Sequence, residues 1–302
     1  MLFNIAEHSV RITFSDGTDV LEMLPSFRAF RVEDDGKDVL LSLTVDDKLR
    51  SAKKEDRRLI RDVDTGNGMT KVFRLEHHEA DGKVVPYGYQ FIIADIRGND
   101  CALLIADEDF RHCKCALVGN FAMKSYGLNS CLMLSYAFCV ASYDTVLIHA
   151  SLVRKGDMGF AFTAKSGTGK STQVSNWLRF IPGCDLMNDD NPVVRVIDGK
   201  SFIYGSPWSG KTPCYRNVKA QLGGVAQIKR DKSNHIHRLG TIDSFVTLLP
   251  SCSTMKWDER VFSCNSNTVS KILETVPVYN LFCLPDADSA VVASEGMLAH
   301  YK

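Results

Sequence analysis

The stretch "FTAKSGTGKSTQ", Phe162 to Gln173, follows an apolar run and carries Ser166-Gly167-Thr168-Gly169-Lys170-Ser171-Thr172. A glycine-rich turn ahead of a helix aims successive backbone N–H groups at phosphate oxygens, and the helix adds its positive end. In such a cradle Ser166, Gly167, Thr168, Gly169, Lys170, Ser171 and Thr172 surround the nucleotide phosphates. Lys170 neutralises the β/γ charge and Ser171 holds Mg²⁺. ATP and Mg²⁺ are the cofactors this stretch calls for. Ala164 stands where G-x-x-x-x-G-K-[ST] opens with glycine. Alanine fits there if its φ is negative, because glycine is needed only where φ is positive.

Upstream, "TVLIHASLVRKGDMGFAFTAKSGTGKS" (145–171) places two β-like runs around Lys155-Gly156-Asp157, the second entering the glycine loop. This reads as a tight hairpin, unlike the helix-linked parallel neighbours of a doubly wound nucleotide fold. His149 falls on the first strand, in alternation with Leu147, Ser151 and Val153, and so near the loop.

Downstream, Lys170 to Phe180 reads as a helix and "CDLMNDDNPVVRV" (184–196) as a strand broken by Pro192. Asn188-Asp189-Asp190 begins eighteen residues after Lys170. Adjacent strand residues face opposite ways, so both carboxylates serve one site only where the strand is ending. Phosphoryl transfer uses a carboxylate on the metal and another to take the hydroxyl proton, which suits a paired acid beside a phosphate loop. "YGSPWSGKTPCYRN" (204–217) then offers Lys211, Arg216 and Trp208 on a Gly/Pro-rich turn, a clamp for a phosphate or an acidic substrate. "KSFIYGSPWSGK" (200–211) starts as a strand, and three later segments, 241–250, 257–276 and 286–301, read as helices.

The first part of the chain differs. Short alternating runs such as "SVRITFSDGT" and "KVFRLEHHEADGKVVPYGYQFIIADI", separated by Asp-Gly signals, indicate an antiparallel β region over 1–119. His77-His78 marks a hairpin end. The basic run Lys53, Lys54, Arg57, Arg58, Arg61, interleaved with acids, reads as a charged helix face or loop. Residues 128–140, "LNSCLMLSYAFCV", read as a buried helix too short to cross a bilayer.

The 302 residues are 45% hydrophobic, enough for a core without disulfides. Thirty-six basic and 36 acidic residues cancel, so no global field draws in nucleic acid or an anionic membrane. The opening lacks a secretory pattern, and the ten cysteines sit mostly singly in apolar runs, as in a reduced cytoplasmic protein. Cys113 and Cys115 read as strand residues. Homo-oligomerisation is left open.

A histidine on a strand, a tight hairpin, S-G-x-G-K-S, a helix and a strand ending in Asp-Asp is an order that resembles HPr kinase/phosphorylase and, more distantly, phosphoenolpyruvate carboxykinase. The detailed resemblance runs from about His149 to Val196. It implies an α/β fold with a mixed-sheet P-loop kinase core over 120–302, behind the N-terminal β-rich region. It also implies Lys170 on phosphate, Ser171 and Asp190 on Mg²⁺, and Asp189 as base. His149 supports the site, and Lys211 or Arg216 stabilises the transferring charge. Ala164 departs from the family's glycine, and Thr172-Gln173 stand where HPr kinases carry an acid. The expectation is ATP-dependent transfer of a γ-phosphoryl group to a hydroxyl of a protein, peptide or small molecule. The alternatives are an ATP-binding regulatory module without transfer and a divergent carboxykinase-like enzyme.

Overall fold

A computed structural model describes the chain apart from Asp35, Lys37, Asn67, Ser166, Lys211, Lys302 and the side chain of His300. Its contacts divide it into two compact units, Met1–Cys139 and Val140–Lys302.

The first unit is one mixed sheet with a long helix. Its strands are β1 (Leu2–Ile5), β2 (His8–Phe14), β3 (Arg31–Val32), β4 (Leu41–Val45) and β5 (Arg57–Asp64), then β6 (Gly68–His78), β7 (Val84–Asp95), β8 (Asp100–Ala106) and β9 (His112–Leu117). Helices α1 (Val20–Met23) and α2 (Phe121–Cys139) complete it. The order is β3-β1-β2-β4-β9-β8-β7-β6-β5. Most pairs are antiparallel as the alternation predicts, but β2 with β4 and β4 with β9 run parallel. The basic run expected on a helix face or loop instead feeds edge strand β5, where Arg58 pairs with Glu76 across to β6 at 2.6 Å. Cys113 and Cys115 alternate along β9 and are both buried.

The unit boundary lies twenty residues beyond the expected 119/120 division. The reason is α2, whose buried face belongs to the first sheet. Gly127 lets it approach so closely that a Cβ there would stand 2.9 Å from Cys101 O.

The second unit is α/β. It comprises β10 (Thr145–Leu147), β11 (Ala150–Lys155), β12 (Met158–Thr163), α3 (Lys170–Phe180), β13 (Cys184–Asp190), β14 (Val193–Ile197) and β15 (Lys200–Tyr204). There follow β16 (Lys219–Arg230), β17 (His235–Arg238), α4 (Thr241–Leu248), α5 (Glu259–Thr275), β18 (Val278–Cys283) and α6 (Ala287–Leu298). The main path of the sheet is β10-β14-β15-β16-β12-β11-β13, with β18 parallel to the far half of β16.

The sheet is mixed around β12, which pairs antiparallel with β11 and parallel with β16. The β11–β12 hairpin closes at Lys155↔Met158 through Gly156, whose φ of 59° suits a two-residue turn. Period-two alternation sends neighbouring residues to opposite faces. Leu152 and Ala161 join Leu248, Val269 and Ile272 on the α4/α5 side. Val153, Phe160 and Phe162 join Val174, Trp177, Ala290 and Ala293 on the α3/α6 side. Asp258 caps α5 by accepting from Val261 N at 2.8 Å, and Asp286 caps α6 by accepting from Ser289 N at 3.0 Å. With both faces covered, the chain ends of β11, β12 and β13 are where polar groups gather.

Candidate functional site

Strand β12 delivers the chain into the loop at Ala164, and α3 takes it up at Lys170. Ala164 does not have positive φ, whereas Gly167 (75°) and Gly169 (131°) do. The two glycines the loop retains are therefore the two its backbone requires. Ala164 instead packs its methyl against the cluster of Phe162, Val174 and Trp177. Gly169 offers no capping side chain, and Gln173 N is the donor that closes back on Gly169 O at 2.9 Å. The first-turn N–H groups ahead of Gln173 thus point outward at the positive end of an eleven-residue helix. Lys170, Ser171 and Thr172 occupy that first turn, with Ser171 and Thr172 exposed.

Strand pairing brings the acids to this point. In the antiparallel β11–β13 register Ser151 lies opposite Asp189 and Ala150 opposite Asp190, the last residue of β13. Asp189 is only 4% exposed. Ser151 Oγ donates to its Oδ1 at 2.5 Å, Ser171 Oγ approaches the same oxygen at 3.5 Å, and Thr212 N donates to Oδ2 at 3.3 Å. A buried carboxylate is thereby fully partnered, as burial demands.

Asp190 joins a second chain of contacts. Lys170 Nζ lies 2.8 Å from His149 Nε2, and His149 Nδ1 lies 3.1 Å from Asp190 Oδ1. A lysine ammonium has no lone pair, so Nε2 accepts from it and the ring proton sits on Nδ1, the nitrogen that faces Asp190. Asn191 Nδ2 donates to Asp190 Oδ2 at 2.7 Å. Burial pushes the Lys170 ammonium below its ordinary pKa of 10.5, while the charges of Asp190 and Asp189 act the other way.

His149 differs from expectation in one respect. It sits between β10 and β11, not within a strand, and its backbone N–H donates to Ser251 O at 2.7 Å. Arg216 is not brought to the cluster. It bonds Asp185 at 2.8 Å, together with Arg154 at 2.7 Å, near the opposite end of β13 from Asp189. Arg216 also donates to Leu186 O. Arg216 is thus engaged by the Asp185 carboxylate and Leu186 O, away from Asp189 and Asp190. Ser166 and Lys211 lie outside the described residues.

The described residues on either side of Lys211 do reach the acids. Buried Asn188 holds them through Ser206 Oγ at 3.3 Å and Trp208 O at 3.2 Å. Gly210 N donates to Asp189 O, and a Cβ on Gly210 would stand 2.9 Å from that oxygen, so only glycine allows the approach. Two contributors escape a reading by motif. Ser151 was visible only as an alternating neighbour of His149, and Arg230, which bonds the loop carbonyls of Gly167 and Thr168, ends a strand disguised by Gly223-Gly224.

No family model and no curated protein matches this chain. Among solved structures it is similar to the Hpr(Ser) kinase/phosphatase from Coxiella burnetii, with a TM-score of 0.29 and 9% identity, over 51% of this chain and 95% of that one. At that similarity the functional reading rests on the residues themselves. No helix among the described residues is long and apolar enough to cross a membrane.

Proposed function

We propose that the chain is an ATP-dependent phosphotransferase that moves a γ-phosphoryl group to a hydroxyl acceptor. The observation that carries this reading is the meeting of Lys170, Ser171, Asp189 and Asp190 at one helix N-terminus, with Ser171 Oγ 3.5 Å from Asp189 Oδ1. A hydroxyl and a carboxylate side by side are hard oxygen donors of the kind Mg²⁺ takes, so the donor set fits the metal. When bound, Mg²⁺ would draw charge from the β- and γ-phosphates.

In this reading Gly169 to Thr172 supply backbone donors to the phosphates, and Lys170 adds a positive charge that follows the transferring group. The environments of the two acids support a division of labour opposite to the one the resemblance implies. Buried Asp189, beside Ser171, is the metal carboxylate. Asp190, with 32% of its side chain exposed and one oxygen 3.1 Å from His149, takes the acceptor hydroxyl's proton as the acceptor oxygen bonds to the γ-phosphorus and the bond from that phosphorus to the β,γ-bridging oxygen breaks, releasing ADP. Ser209, Gly210 and Thr212, held on Asp189, form the wall nearest the acceptor.

The test is transfer from γ-labelled ATP with Mg²⁺ to proteins, peptides and small hydroxyl compounds of a cell extract. The expected result is a labelled acceptor whose labelling falls about 10²-fold or more in Asp190→Asn, as for loss of a general base, with Mg²⁺-ATP affinity retained. Binding of Mg²⁺-ATP without transfer to any extract fraction would replace the enzyme with a nucleotide-binding regulatory module.

A further inference from the structure

The register of the second sheet carries one residue past the phosphate-facing loop. Thr163, the last residue of β12, pairs with Gln227 of the parallel β16. Where β12 turns away into the loop, β16 continues to Arg230 and runs beside it. There the Arg230 guanidinium donates from Nη2 to Gly167 O at 2.5 Å and from Nε to Thr168 O at 3.3 Å.

From these contacts we infer that Arg230 is a positioning residue for the nucleotide loop. The inference rests on the reading of that loop as a phosphate cradle. In a trans peptide the carbonyl and the next residue's N–H point opposite ways, and no cis bond occurs among the described residues. Holding Gly167 O and Thr168 O therefore turns the N–H groups of Thr168 and Gly169 away from Arg230. Thr168 N–H closes the turn on Lys165 O at 3.1 Å. Gly169 N–H has no acceptor among the described residues and is available to an anion.

Two further effects act in the same direction. Gly167 and Gly169 both have positive φ and open space about the position of a Cβ, so their own side of the loop imposes nothing. The fork of Arg230 restrains what the glycines leave free. Carbonyl oxygens turned toward phosphate would repel it, and Arg230 holds those of Gly167 and Thr168 on itself. A lysine would keep the charge and lose the simultaneous grip on two acceptors.

The experiment compares wild type, Arg230→Ala, Arg230→Lys and Lys170→Ala by calorimetric titration with Mg²⁺-ATP, alongside melting temperatures. Arg230→Ala is expected to bind about ten-fold more weakly, or about 1.4 kcal/mol, with its melting temperature close to wild type because the side chain is exposed. Arg230→Lys should fall between the two. Millimolar guanidinium should restore part of the affinity of Arg230→Ala and leave Lys170→Ala unimproved, a rescue that a general packing role would not show. Lys170→Ala weakened with Arg230→Ala unchanged overturns the role of Arg230 alone, as does full recovery in Arg230→Lys. Lys170→Ala indistinguishable from wild type overturns the nucleotide reading on which it stands.

Discussion

Replacing Ala164 with glycine, the residue usual at that point of a phosphate loop, separates two accounts of the loop. Ala164 does not have positive φ and packs its methyl against Phe162, Val174 and Trp177. Removing the methyl frees the unfolded backbone by ~0.4–1 kcal/mol at a position alanine already suits. Partial loss of one buried methyl adds roughly 0.4 kcal/mol, half the usual figure for a fully buried group. Ala164→Gly should therefore destabilise by about 1 kcal/mol, which lowers the melting temperature of a unit this size by roughly 2–4 °C. Affinity for ATP should change less than about two-fold, since in the proposed cradle the phosphate-facing donors come from residues 169 to 172. Scanning calorimetry and titration with Mg²⁺-ATP on the same preparation give both numbers. A ten-fold gain in affinity would refute the reasoning, because the alanine would then be obstructing the cradle.

Other perturbations probe neighbouring links. Gly169→Ala places a side chain at φ 131° with nothing within 4 Å, so its penalty is conformational, on the order of 1–3 kcal/mol, and ATP affinity should fall; unchanged stability and affinity would mean the loop re-forms without that conformation. Because burial lowers the pKa of Lys170 below 10.5, raising pH discharges it earlier than an ordinary lysine. ATP affinity should accordingly decline before pH 10.5, with proton uptake on binding in that window; a flat profile would take Lys170 out of the phosphate site. The Arg154 hydrogen bond, then that of Arg216, holds the Asp185 carboxyl below 3.8. Its stabilisation is present above that pH and lost as pH falls through the folded value, so the stability gap between wild type and Asp185→Asn should close in acid. At neutral pH, solvent screening limits that gap to about 1 kcal/mol or less.

What could be read in the sequence was whatever chemistry ties to neighbouring residues. The hairpin at Gly156, the helix from Lys170 and the strand stopped by Pro192 each carry their own signal and appear where expected. So do the helices from Thr241, Glu259 and Ala287, each preceded by Gly or Asp. Strand β16 was missed because Gly223-Gly224 weakens the alternation; it gains its place from Phe160, whose ring fills the space a Cβ on Gly223 would take. Arg216 is hidden from such a reading for a different reason. Its neighbours in sequence suggested a clamp, but its charge is claimed by Asp185, thirty-one residues earlier, and only the return of the chain onto β13 reveals that. That Ser151 and Ser171 meet Asp189 while His149 meets Asp190 is likewise a matter of register.

The central claim is that Lys170, Ser171 and the acid pair form one Mg²⁺-ATP site. Titration of wild type, Lys170→Ala and Asp189→Asn with ATP, each with and without Mg²⁺, tests it directly. Wild type should bind ATP more tightly with Mg²⁺ than without. Lys170→Ala should lose ~2 kcal/mol or more under both conditions, as for a charge-assisted contact, and Asp189→Asn should lose the Mg²⁺-dependent part alone. ATP affinity that is the same in all three proteins and indifferent to Mg²⁺ would contradict the account.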